Sequence, residues 1–244
     1  MRIADYYERY WDRGGYLPPD SELLVIKREM VARAVSNLGQ PRILDIGCGD
    51  GKVSEGLAAD GTLLGADIAA TALRLARERG LVPVRTGDGG LPFRDSCFNL
   101  VLAFDVLEHL FDPGALLREC RRVLMPRGVL LVALPNAGMI LNRLHFLATG
   151  RFRDFTASGD RIMPECAIQE HIRFFNRASA LALLARCGFA ARVTGVWFPS
   201  RFYRPGLQRW SFVGAALNRL GLVRAAPGLL AQVLFIEAGK AVAE

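Results

Sequence analysis

The stretch Ile43-Leu44-Asp45-Ile46-Gly47-Cys48-Gly49-Asp50-Gly51 decides how this chain folds. A short apolar run carrying one acid, followed by glycines at alternate positions, predicts a buried strand that feeds a tight turn. Glycine has no Cβ and accepts positive φ, so a ligand can lie against bare backbone there. Taken alone, the loop indicates a nucleotide-like ligand and nothing finer.

Outward from the loop, strands and helices alternate. Pro41 opens a strand at 42–46, and Lys52–Ala59 is expected to form the first crossover helix. Leu63–Asp67, Val82–Thr86 and Phe98–Phe104 read as the next three strands, with a helix at Thr71–Arg79. A helix at 113–124 and a fifth strand at 128–134 follow. Continuous apolar strands alternating with helices predict a parallel sheet covered on both faces. Residues 1–40 are helical in pattern, with Tyr6, Tyr7, Tyr10, Trp11 and Tyr16 near the start and a helix from Pro19 to Leu38. After Pro135 the alternation breaks. Residues 136–170 and 197–231 are long excursions, separated by a helix at 178–187 and a strand at 190–196, and Gln232–Ala238 reads as a final strand. Excursions of that length are uncommon and usually functional.

Composition narrows the class. The chain has 244 residues, enough for one α/β unit with decorations. Hydrophobic residues make up 51% and charged residues 23%, which excludes a disordered chain. The formal charge is +7, carried almost wholly by arginine, since the lysines are Lys27, Lys52 and Lys240 alone. Such a balance suits nucleic acid, phosphorylated substrates or an anionic membrane face. The five cysteines form no CxxC pair, which fits a reduced compartment and no structural metal. The first residues lack an apolar signal core, and no apolar run reaches the ~20 residues of a spanning helix. A cytoplasmic protein, peripheral to a membrane at most, is the expectation.

In an open parallel sheet, ligands bind beyond the carboxyl ends of the strands. Four stations fall there: the Gly47–Gly51 loop, Asp67 after the second strand, Asp88 in Gly87-Asp88-Gly89-Gly90, and Phe104-Asp105 closing the fourth. An acid about 20 residues beyond the first strand suits ribose hydroxyls. The dinucleotide fingerprint GxGxxG is the main competitor. Here Lys52 stands where its third glycine would be, which weakens a nicotinamide-dependent oxidoreductase without excluding it. A non-catalytic protein that binds such a cofactor for regulation is the other alternative.

These residues resemble a known family. Leu44–Gly51, Gly65-Ala66-Asp67-Ile68, Gly87-Asp88 with Leu91-Pro92-Phe93, Phe98–Leu110 and Leu124-Met125-Pro126-Arg127-Gly128 match, in order, the class I S-adenosylmethionine-dependent methyltransferases. The similarity is to the small-molecule group that includes ubiquinone-biosynthesis O-methyltransferases. It is close over 41–135 and loose through His171–Phe175 and Leu184–Phe189. The resemblance implies a Rossmann-like, doubly wound, seven-stranded α/β sheet, mostly parallel, with the last strand antiparallel beside the fifth. It implies a helical lid over 1–40, a core over 41–196 with the 136–170 insertion, a further insertion at 197–231, and the final strand and tail at 232–244. It implies S-adenosylmethionine as cofactor, with Asp45, Gly47 and Gly49 at its amino-acid end, Asp67 on the ribose, Ile68 packed on the adenine, Asp88 and Gly89 at the adenine edge, and Phe104 near the ribose and methionine.

Methyl transfer to a hydroxyl benefits from a base near neutral pKa, and histidine is the obvious one. His109, after the fourth strand, is the candidate base. His171 opens a segment that leans over the acceptor in the family and is the candidate substrate contact, while His145 reads as a bystander. No metal triad is legible, since Asp105 and Asn136 alone are too few. In 197–231, Trp197, Phe198, Phe202, Tyr203, Trp210 and Phe212 alternate with Arg201, Arg204, Arg209, Arg219 and Arg224. That mixture suits a small or lipid-linked acceptor, a peripheral membrane contact or a homodimer face. Nucleic acid is disfavoured, because Ala103-Phe104-Asp105-Val106 lacks the Pro-Pro-aromatic motif of base N-methylating enzymes.

Overall fold

The computed structural model describes residues 2–15, 22–36, 38–57, 62–87, 90–150, 171–197 and 216–241. Its frame is a seven-stranded sheet. The strands are β1 (Arg42–Ile46), β2 (Thr62–Asp67), β3 (Val82–Arg85), β4 (Phe98–Phe104), β5 (Leu124–Pro135), β6 (Phe189–Trp197) and β7 (Val233–Lys240), in the order β3-β2-β1-β4-β5-β7-β6. β1 pairs in parallel with both β2 and β4, so the chain reverses its direction of travel across the sheet at β1. β7 enters between β5 and β6 and is antiparallel to both. This is the expected doubly wound α/β sheet with its last strand reversed beside the fifth.

The strands are apolar on both faces because both faces are covered. Leu44, Val101, Ala103, Leu130 and Val132 join one buried layer, and Ile43, Leu100, Leu102, Leu131 and Ala133 join the other. The alternation follows from the two-residue period of a strand. The first layer is covered by α4 (Pro113–Val123) and α6 (Arg177–Arg186), through Leu117, Cys120, Ala180 and Leu184. The second is covered by α2 (Glu22–Val35) and α3 (Ala70–Glu78), through Leu23, Val31, Leu73 and Ala76. Both α4 and α6 begin at well-capped ends: Asp112 accepts from Ala115 N at 3.0 Å, and Asn176 from Ser179 N at 2.9 Å.

The expected crossover helix at 52–59 does not form over its described part. Residues 51–57 make successive turns, with Ser54 N and Glu55 N both donating to Gly51 O at 3.2 and 3.0 Å. Gly51 (φ 79°) and Gly56 (φ 73°) are left-handed and break the helical run at both ends. β5 also starts earlier than expected. Leu124 already pairs with Phe98, and a register shift precedes the Leu100–Val129 pair. The first excursion carries a helix, α5 (Ile140–Thr149), that ends in the left-handed Gly150. The second carries two four-residue helical turns, Leu222–Ala225 and Pro227–Leu230. The interleaved aromatic and basic residues at 198–212 lie outside the described residues.

Candidate active site

The glycine loop folds back over the end of β2. Gly47 N and Cys48 N both donate to Ala66 O, at 2.7 and 3.2 Å. Gly47 (φ 64°) and Gly49 (φ 54°) hold left-handed backbone that other residues resist. A Cβ at Gly47 would stand 2.5 Å from Val106 Cγ2. Below the loop, the buried Asp45 carboxylate accepts from Ser54 Oγ at 2.7 Å. Burial pushes this carboxyl up to about 7, with the charge of Asp67 adding and the Ser54 bond opposing. Asp67 ties β2 to the loop: one oxygen accepts from Gly49 N at 3.0 Å and the other from Ala69 N at 2.9 Å. Its burial raises its pKa as well, against the pull of those backbone bonds. Ile68 follows it half-buried, and Phe104 is buried in the layer shared with α2 and α3. Asp88 and Gly89 lie outside the described residues.

The N-terminal helix α1 (Ile3–Asp12) lies against this loop. The Trp11 indole rests on the bare Gly49 backbone, where a Cβ would collide with it. Glu8 accepts from Ala70 N at 2.7 Å and Thr71 N at 2.9 Å. These are amides at the start of α3, whose own N-cap, Ala69, has no side-chain acceptor. α1 thus supplies from a distance the cap that α3 lacks. Asp12 adds a bond from Thr71 Oγ1 at 3.1 Å.

A second cluster stands past the end of β4. Asp105 adopts φ 54° and accepts from the ammonium of Lys27, a buried lysine of α2. The next turn, Leu107–His109, is a 3-10 helix that buries Glu108 and leaves His109 half-buried. The backbone of 171–173 is stapled onto this turn. Ile172 N and Arg173 N both donate to Glu108 O at 3.1 Å, and Arg173 donates from its guanidinium to Leu110 O (2.8 Å) and to Phe111 O. The staple buries His171, bringing its ring to 4.8 Å from that of His109 and its Nε2 to 4.0 Å from Glu108 Oε1. Tyr7 of α1 meets His109 edge-on at 6.2 Å. The donor atoms of Glu108, His109 and His171 all lie within 4.8 Å of one another. Burial, with the charge of Asp105 adding, pushes the Glu108 carboxyl up to about 8, against the pull of His171.

The structure therefore brings His109 and His171 together and leaves His145 half-buried on α5, outside the cluster. Asn136, weighed with Asp105 as a metal ligand, is used structurally. Its amide donates to Pro227 O, Gly228 O and Ala231 O, and its oxygen accepts from Gly138 N at 3.0 Å. Lys27, Glu8 and Glu108 were missed as site residues. Lys27 left no local signal, since it opens the charged run Lys27-Arg28-Glu29 that follows Leu23–Ile26.

Residues 44–132 match the methyltransferase domain family. A curated relative, the ubiquinone biosynthesis O-methyltransferase of Xanthomonas oryzae pv. oryzae, is 31% identical over 143 residues, which is 55% of this chain and 59% of the relative. The chain thus spans about three-fifths of the length of the curated relatives it matches. Among solved structures, magnesium protoporphyrin IX methyltransferase from Synechocystis PCC 6803, with bound SAH, aligns over 98% of both chains at TM-score 0.62 and 16% identity. The [4+2]-cyclase SpnF aligns over 99% of this chain and 96% of its own at TM-score 0.60 and 20% identity. Likenesses at these identities establish the fold alone. The ordered motifs, the strand order and the match over residues 44–132 make this chain similar to the class I S-adenosylmethionine-dependent methyltransferases.

Proposed function

We propose that this chain transfers a methyl group from S-adenosylmethionine to a hydroxyl oxygen of a small, apolar or lipid-linked acceptor. The observation that carries the reading is the pairing of His109 with His171 past the carboxyl end of β4, on the side of the sheet where the glycine loop also lies. The residues present fit the cofactor. Gly47 and Gly49 leave backbone uncovered by Cβ atoms, and Asp67, whose two oxygens accept from Gly49 N and Ala69 N, keeps lone-pair capacity for ribose hydroxyls. Lys27 offers a buried cation for a carboxylate beside Phe104, from whose ring its Nζ stands 6.0 Å. Ile68, Asp88 and Gly89 are assigned to the adenine side.

When bound, S-adenosylmethionine supplies an electrophilic methyl group on a sulfonium. The protein's task is then to hold the acceptor in line, keep water out and take the hydroxyl proton. His109 takes that proton, and His171 touches the acceptor. α1 closes the site, with Trp11 over the loop and Tyr7 over His109. Similarity to the Xanthomonas ubiquinone biosynthesis O-methyltransferase supports oxygen as the methylated atom and an acceptor of the kind met in ubiquinone biosynthesis. Exposed Phe111 and Leu147, which follow β4 and β5 in sequence, support an apolar acceptor met at a membrane surface. No described helix is long and apolar enough to cross a membrane.

Calorimetry with S-adenosylhomocysteine and with NAD, followed by transfer of labelled methyl to polyprenylated and unprenylated catechols, tests the reading. Binding of the homocysteine nucleoside and label on a phenol oxygen are expected. Binding of NAD alone, or label only on amine acceptors, would replace it.

A further inference from the structure

Glu108 has no place in the scheme above, yet it is a buried carboxyl in the molecule's working end. Its side chain is 1% exposed, and among the described residues neither carboxylate oxygen has a hydrogen-bond partner. A carboxyl buried that way destabilises the fold unless something compensates it. Among the described residues, the groups facing it are Lys27 on α2, Asp105 after β4, His109 on its own turn and His171 from the stapled segment. Tyr7 on α1 covers the far side of His109. The staple is specific: two successive amides, Ile172 N and Arg173 N, converge on the carbonyl of Glu108 itself. The residue that presents the carboxylate therefore also fixes the backbone that presents His171.

We infer that Glu108 and His171 form a proton relay behind His109, with His171 between the two and the Glu108 carboxylate holding the relayed charge. The inference rests on the reading of His109 as the base. As the acceptor oxygen bonds to the methyl carbon, its O–H bond breaks and the proton lands on His109. The carbon–sulfur pair stays on sulfur. His109 then passes a proton from its other ring nitrogen to His171, whose imidazolium sits beside the Glu108 carboxylate, and water takes the proton when the site opens. The 4.0 Å between His171 Nε2 and Glu108 is too long for a hydrogen bond in this state and needs to close by about 1 Å in the loaded enzyme. Glu108 touches no substrate in this scheme. It is a positioning residue acting through His171.

The chain has only three histidines, so imidazole NMR resolves every one once His145→Ala assigns the third. In this chain, Glu108→Gln is expected to shift the titration midpoint of His171 and to reduce the Glu108–His171 pair from two coupled steps to one, because the two groups share the proton that burial keeps on the carboxyl. Binding of S-adenosylhomocysteine, read by calorimetry, is expected to stay unchanged. An unmoved His171 midpoint overturns the relay. If Glu108→Gln does not fold, the wild-type spectra still decide: His109 and His171 should titrate as a coupled pair, and two independent single-step curves overturn the proposal. Zinc chloride or magnesium chloride added alone supplies the third arm. If micromolar ion abolishes the titration of both rings, the three donors hold a cation and the relay is wrong. None of these readouts needs an acceptor, and loss of the methyltransferase reading itself would appear as failure to bind S-adenosylhomocysteine.

Discussion

Lys27 and Asp105 are bonded between α2 and the end of β4, and the two partners are unequally exposed: the lysine side chain is 2% accessible and the aspartate 35%. Removing the aspartate strands a buried ammonium, whereas removing the lysine leaves a carboxylate that water can reach. Asp105→Ala should cost about 3–5 kcal/mol, the scale for an uncompensated buried charge. Lys27→Met should cost markedly less in stability, although it should weaken cofactor binding. Asp105→Gly should recover about 1 kcal/mol relative to Asp105→Ala, because glycine relaxes the left-handed backbone. Urea unfolding of the three variants checks the order.

Trp11 and Gly49 should behave as one unit. Gly49→Ala meets the indole and also strains a residue at φ 54°, so it should lift α1 from the loop. Trp11→Ala removes the collision and leaves only the backbone strain, roughly 1–2 kcal/mol. The double variant should therefore be more stable than the sum of the two single effects, and a thermal-melt double-mutant cycle reads the difference.

Glu8 caps a helix in a different part of the chain. Glu8→Ala should destabilise the N-terminal region of α3 by about 1 kcal/mol, the usual loss for a missing cap. Hydrogen exchange should locate the effect at the Ala70 and Thr71 amides, the two that Glu8 accepts from. Glu8→Gln should retain part of the protection, since its carbonyl oxygen still accepts.

Asp45 predicts a pH signature. Its folded pKa is pushed up to about 7 from an ordinary 3.8, so between those values the folded chain holds a proton that the unfolded chain has released. Stability from this group is complete below the lower value and declines as pH rises through the upper one. Asp45→Asn keeps an acceptor for Ser54 and removes the titration. Its melting temperature relative to wild type should climb from pH 4 to pH 7 and then level off, with a gain of at least ~2 °C, about what 1 kcal/mol gives a chain of this size. Differential scanning calorimetry across that range is the check.

The sheet was legible because its strands are short, fully apolar runs between turn residues, and that pattern needs no tertiary information. The loop of Gly47 and Gly49 was legible for the same local reason. What escaped was long-range. The crossover at 52–59 has helical composition, but Gly51 and Gly56 break it, and only their left-handed backbone shows that. Adjacency in sequence does not reveal how Glu108 and His109 are placed. The 3-10 turn and the 171–173 staple place Glu108 below His171, a contact across 63 residues of chain. Glu8 has the composition of a solvated helix face, and nothing local marks it as the cap of α3.

The position of β7 has its own consequence for how this protein is made. Residues 233–240 sit between two strands synthesised well before them, so on the ribosome β5 and β6 wait side by side with open edges until the final stretch leaves the exit tunnel. Until then the nascent chain offers two unpaired backbone ladders to any neighbour. Slow translation of residues 233–240 would prolong that exposure, and a holdase chaperone in the cell would shorten its harm.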